Sequence, residues 1–91
     1  MRLTYDPVKS TRNEHERGMP FGLAAEFDWN SALIVEDQRQ DYQEKRFQAL
    51  GYIQAHLCML VFTPRADAIH VISLRRANLR ERSRYVAHPQ S

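Results

Sequence analysis

Hydrophobic and polar positions alternate with different periods along this chain, and each change of period marks an element. Leu3 and Tyr5 alternate with Arg2 and Thr4, the two-residue period of a short strand. Asp6-Pro7 then supplies an N-cap and a proline at the first helical position, which predicts a helix from Pro7 to about Arg17. Gly18 is placed to end it in a left-handed turn. Pro20 opens a second short helix whose Phe21, Ala24, Ala25 and Phe27 would face the core, completing a helical hairpin. Trp29 to Ser31 reads as a loop, and Leu33 to Val35 as a strand entering the acidic segment Glu36 to Asp41. A longer strand is predicted from Tyr42 to Ile53, with Phe47, Ala49 and Ile53 on one side and Glu44, Arg46 and Gln48 on the other. Gly51 would interrupt it.

The unbroken apolar run Leu57 to Thr63 predicts a strand covered on both faces, and so the centre of a sheet. A turn at Pro64 to Asp67 leads into a strand beginning at Ile69, so the last three strands should form an antiparallel meander. Asn78 stands three residues before Glu81, the spacing of a capping box, and a final helix should start there. Arg80 and Arg84 share one face of it, while Leu79, Arg82 or Ser83, and Val86 share another that would touch the sheet. Together these elements predict an α+β fold with two N-terminal helices packed on a small, mainly antiparallel sheet and a short C-terminal helix. Residues 1–87 would make one domain, and residues 88–91 a disordered tail.

Composition narrows the classes. The 43 % apolar content is ordinary for a globular chain, and nothing resembles a membrane span or a secretory leader, which points to a cytoplasmic protein with no membrane partner. The one cysteine, Cys58, lies in the apolar run, where a buried inert thiol is expected; it forms neither an internal disulfide nor a zinc cluster. Charge is uneven. Glu26 to Glu44 holds six acids and one arginine, whereas Arg65 to Ser91 holds six arginines and two acids. Either both faces are simply solvated, or a basic surface meets phosphate while an acidic one meets a basic partner. Five arginines fall between Arg75 and Arg84 against the single acid Glu81, an imbalance that suits a polyanion. No glycine-rich phosphate loop, serine–histidine–acid pattern or zinc spacing is present, and Glu36, Asp37 and Asp41 read as a solvated strand end rather than a cation site. Neither a cofactor nor a metal is expected.

Several motifs in order resemble the BrnT family of bacterial type II toxins. They are TyrAspPro at 5–7 with Lys9 and Asn13, and Gly18-x-x-Phe21 with Ala24 or Ala25 and Phe27. GluLysArgPhe at 44–47 with Leu50-Gly51, ValPheThrProArg at 61–65, IleSerLeuArgArgAla at 72–77, ArgGluArg at 80–82 and Tyr85 complete the set. The resemblance implies a compact fold like that of the RelE ribonucleases and a toxin that cleaves RNA and halts translation. It also implies a cognate antitoxin with a ribbon-helix-helix DNA-binding segment, through which alone operator DNA would be met. Three positions depart from the family pattern: Glu16 and Arg17 replace the usual lysine and histidine before Gly18, leaving His15 nearby, and His70 stands where relatives carry arginine. The alternative to a ribonuclease is therefore a catalytically weak module that binds the antitoxin and tunes operator repression; a plain RNA-binding domain is a third reading.

Metal-free RNA cleavage needs a base for the 2′-hydroxyl, cations for the phosphorane-like transition state and an acid for the departing 5′-oxygen. Arg46, Arg65, Arg75 and Arg80 are the candidates for charge stabilisation, because a guanidinium fork holds two phosphate oxygens and stays charged; solubility or antitoxin binding is their alternative role. Glu44 is a base candidate on the predicted strand face of Arg46, or half of a structural ion pair. His70 is an acid or base candidate, or a packed strand histidine. Lys9, Arg17, Arg76 and Arg84 are candidate RNA contacts, or solvated surface charge. Tyr52 and Tyr85 either stack a base or pack at the edge of the core.

Overall fold

The computed structural model of the chain describes residues 2–88. Five strands, β1 (Arg2–Thr4), β2 (Leu33–Asp37), β3 (Arg46–Ile53), β4 (His56–Arg65) and β5 (Ala68–Arg76), form one sheet in the order β1-β5-β4-β3-β2. Strands β2 to β5 are an antiparallel meander, and β1 lies parallel to β5 at the far edge. The run Leu57 to Thr63 is buried throughout and occupies the middle strand, as a two-sided apolar pattern predicts.

Helix α1 (Pro7–Arg17) starts and stops where its signals lie. The Asp6 carboxylate accepts from the Val8 amide at 2.9 Å, and Gly18, at φ 74°, turns the chain left-handed while its N–H donates to the Glu14 carbonyl. The second N-terminal helix is a 3-10 segment, Phe21–Glu26, and not an α-helix. A three-residue period aligns Phe21, Ala24 and Phe27, all buried, and turns Ala25 out to solvent, against the expectation that it faces the core. The other α-helix, α2 (Leu79–Ala87), follows all five strands. Buried polar side chains tie this N-terminal layer down: Asn13 Nδ2 donates to the carbonyls of Leu74 (2.7 Å) and Met19 (2.6 Å), and Ser10 Oγ accepts from the Phe21 amide.

Three further expectations are corrected. Strand β3 begins at Arg46, so Tyr42 to Lys45 belong to a loop; β2 ends at Asp37, the partner of Arg46, and the polar alternation before Arg46 has no neighbouring strand to pair with. Gly51 does not interrupt β3 but pairs with Cys58 inside it. A Cβ there would stand 2.5 Å from Cζ of Phe27, so the glycine admits that ring onto the sheet. Finally, Leu79 and Val86 do not touch the sheet: each is 82 % exposed, and Arg82 and Ser83 also face solvent. Tyr85 docks α2 instead, packed among Leu50, Leu57, Met59 and Val61, with its hydroxyl donating to the Ser31 carbonyl at 2.9 Å. The capping box is complete, Asn78 Oδ1 accepting from the Glu81 amide and the Glu81 carboxylate from the Asn78 amide, and it fixes the phase of the helix.

One face of the sheet, carrying Ala49, Ile53, Leu60, Phe62, Val71 and Leu74, is sealed by the N-terminal layer. The opposite face is covered at one end by Tyr85 and is open at the other. A β-bulge lies where Val61 pairs with Ser73 but Phe62 with Val71, leaving Ile72 as an extra residue in β5. Its effect is to place His70, paired with Thr63, and Arg75, paired with Met59, on the same face although five residues separate them. Cys58 is buried, and burial pushes its thiol pKa up. Among the described residues no helix is long and apolar enough to cross a membrane. His88 closes α2 by donating its amide to the Tyr85 carbonyl; the rest of the tail expected at 88–91 lies outside the described residues.

Candidate active site

On the Tyr85 face, at the opposite end of β4, the sheet opens into a cavity of about 440 Å³. Lys9 reaches it from α1, Tyr42 and Glu44 from the loop before β3, Arg46 from the start of β3, Thr63 and Arg65 from the end of β4, and His70 from β5. Segments far apart in the chain converge because β4 and β5 are hairpin partners whose register sets Thr63 beside His70, and β2 delivers the loop across the cavity mouth.

Electrostatics separate the roles. Burial lowers the pKa of His70, and the nearby charges of Arg65 and Lys9 add to that against the opposing pull of Glu44, which keeps the ring neutral near pH 7. Its Nδ1 is engaged by Thr4 Oγ1 at 2.7 Å, so Nε2 is the nitrogen left for a ligand. Glu44 is held as a carboxylate chiefly by the Arg65 fork, with Nε to Oε2 at 3.0 Å and Nη2 to Oε1 at 2.7 Å. The pair is half exposed, 47 % for Arg65 and 51 % for Glu44, and so weakened by solvent screening. The Arg46 guanidinium sits over the Tyr42 ring, 4.1 Å from its centroid.

Beyond the loop, Asp37 is fully buried at its side chain and receives the Arg39 fork, Nε to Oδ1 at 2.8 Å and Nη2 to Oδ2 at 2.7 Å. That hydrogen bonding holds the Asp37 pKa down at about 2. With both oxygens taken by Arg39, Asp37 does not combine with Glu36 and Asp41 into a cation cage. Among the described residues no group of three or more His, Cys, Asp or Glu side chains is arranged to hold a metal ion.

Five residues singled out in the sequence therefore meet in this cavity: Lys9, Glu44, Arg46, Arg65 and His70. Glu44 arrives from the loop and not from the face of a strand. The remaining five stand elsewhere. Arg75 is spent on Glu81, Nη1 to Oε1 and Nη2 to Oε2 both at 2.7 Å, a half-buried joint between β5 and α2. Arg76, on the opposite face, contacts His56 Nε2 at 3.3 Å and shares a hollow of about 230 Å³ with Arg17. Arg80 and Arg84 project from α2 into solvent. Tyr42, Thr63 and Thr4 were not legible as site residues: an aromatic inside an acidic run was the one available signal for Tyr42, and the threonines carry none. Tyr52 and Tyr85 pack edge to face on each other at 5.7 Å.

A histidine among three cationic side chains, one of them paired with a half-exposed carboxylate, suits a phosphodiester. Over residues 5–81 the chain matches the family model of BrnT, the ribonuclease toxin of type II toxin-antitoxin systems. The chain belongs to this family, and membership implies an antitoxin partner. No curated protein matches the chain.

Proposed function

We propose that this chain is the RNA-cleaving toxin of its pair and that cleavage takes place, without a metal ion, in the cavity of Lys9, Glu44, Arg46, Arg65 and His70. The supporting observation is the convergence of three cations and a neutral histidine, delivered by four separate segments, on one open hollow. An RNA phosphate takes the place of the Glu44 carboxylate in the Arg65 fork, while Arg46 and Lys9 hold the other non-bridging oxygen. His70 Nε2 accepts the 2′-hydroxyl proton as the 2′-oxygen bonds to phosphorus. The phosphorus–5′-oxygen bond breaks, Lys9 protonates the leaving oxygen, and a 2′,3′-cyclic phosphate and a 5′-hydroxyl remain. Glu44 keeps the Arg65 fork ordered until substrate arrives. Arg17, Arg76, Arg80 and Arg84 are outlying RNA contacts, and Arg75 orders α2.

Cleaved message halts translation. The rest of the reading follows from the family: a RelE-like toxin domain over residues 1–87 acting in the cytoplasm, silenced by an antitoxin whose ribbon-helix-helix segment carries the pair to operator DNA. Purified, antitoxin-free protein incubated with RNA and a chelator tests it. Discrete fragments ending in cyclic phosphate are expected, with His70→Gln and Arg65→Ala each slower by about 100-fold or more. Intact RNA, alongside tight antitoxin binding, would replace this reading with the interaction module.

A further inference from the structure

Tyr42 borders two hollows at once. One is the phosphate cavity; the other, of about 320 Å³, lies on the far side of the loop, is lined also by Glu36, Gln38, Gln40 and Lys45, and shares Asp41, Glu44 and Arg46 with the first. The ring is half buried and anchored at both ends of its reach: Arg46 covers it at 4.1 Å, and its hydroxyl points to Asp37 Oδ2 at 3.5 Å. Asp37 in turn is pinned by Arg39. A tyrosine on a loop of eight residues between β2 and β3 is thereby held in one place, which a solvated loop side chain has no need of.

The two hollows differ in what they can admit. On the first, Lys9, Arg46 and Arg65 outnumber Asp41 and Glu44, which favours phosphate. On the second, four carboxylates outnumber Lys45 and Arg46, which disfavours phosphate, while its carboxylate and amide oxygens can accept from the ring N–H and amino groups that nucleobases present. A cationic guanidinium behind an aromatic ring is also the arrangement on which splayed-out RNA bases stack.

We infer that Tyr42 is a base-stacking platform, and that the hollow beyond it is the subsite for the nucleobase next to the phosphate held by Arg46 and Arg65. This rests on the cleavage reading, and the experiment separates the two. Synthetic RNA oligonucleotides with a single abasic position moved along the chain are cleaved by the wild type, Tyr42→Phe and Tyr42→Ala. In the wild type, loss of one particular base beside the cut should raise KM about tenfold, the scale of one aromatic stack. Tyr42→Ala should raise KM on intact RNA by a similar factor and add nothing on the abasic substrate, whereas Tyr42→Phe, which keeps the ring and loses only the hydroxyl contact to Asp37, should keep the difference between intact and abasic RNA. Equal losses on intact and abasic substrates would overturn the inference, since a residue that only props the loop or Arg46 acts regardless of the base. A second arm needs no cleavage. Affinity for an all-2′-deoxy oligonucleotide, intact against abasic, should show the same dependence on Tyr42, and its absence there would overturn the subsite whether or not the protein cuts RNA.

Discussion

Two groups of basic residues in this molecule contrast sharply. The run Arg75 to Arg84 is the densest positive stretch in the sequence, yet in space it scatters: Arg75 into an ion pair, Arg76 to the other face, Arg80 and Arg84 outward from α2. Lys9, Arg46, Arg65 and His70 are thinly spread along the chain, yet they line one cavity. Adjacent strand residues point to opposite faces, and helix residues spread around a cylinder, so linear charge density disperses on folding. Cations separated by whole elements meet when sheet register brings them level. Neighbours in space, rather than neighbours in sequence, decide where a polyanion can be gripped.

The contrast can be broken most directly by paired substitutions. In antitoxin-free protein Arg46→Ala should slow RNA cleavage by about 100-fold or more, the usual cost of losing a positioned donor, while Arg80→Ala should stay within about twofold of wild type. Comparable losses for both would erase the distinction. Next in size, Arg75→Ala leaves the largely buried Glu81 carboxylate without its fork and should cost about 1–3 kcal/mol in urea denaturation. Cleavage per folded molecule should be unchanged, so a selective loss of turnover would return Arg75 to the chemistry.

A third measurement sharpens the role of His70 through pH. Its folded pKa lies below the ordinary value, so as pH falls from about 6.5 the unfolded chain takes up the proton first and stability declines until the folded ring is also protonated. Catalysis that needs the neutral ring should hold through about pH 6.5 and then fall roughly tenfold per unit on an acid limb lying below that value. A limb at higher pH would count against His70 as the base. The smallest effect is expected at the end of the molecule away from the cavity: Asn78→Ala removes half of the capping box and should lower stability by about 1 kcal/mol with cleavage intact, as thermal melts and turnover together would show.

Local chemistry was legible in the sequence, and long-range assembly was not. Asp6-Pro7, Gly18 and the Asn78–Glu81 pair set helix ends through contacts within a few residues, and the apolar run 57–63 announced a two-sided strand. Where a partner decided the outcome, pattern alone fell short. Tyr42 to Lys45 alternate like a strand but have no strand beside them, and Gly51 looked like a break because Phe27, which needs the space, lies twenty-four residues away. The exposed strip on α2 followed the helical period correctly yet faces solvent, since one tyrosine and one ion pair set the helix orientation. Of the site, the cations and the histidine could be nominated one by one. Their grouping depended on strand register, and so did the exclusion of Arg75.

The extra residue Ile72 carries a consequence for how this strand can change. Because of it, the odd five-position step from His70 to Arg75 matches the even four-position step from Thr63 to Met59, and both side chains stay on one face. Deleting one residue at the bulge therefore leaves a regular ladder with the pairings on either side intact, whereas removing two acts like a half-turn of a crankshaft, swapping inside for outside along half the strand. A functional variant should tolerate a gap of one residue in this stretch and not a gap of two.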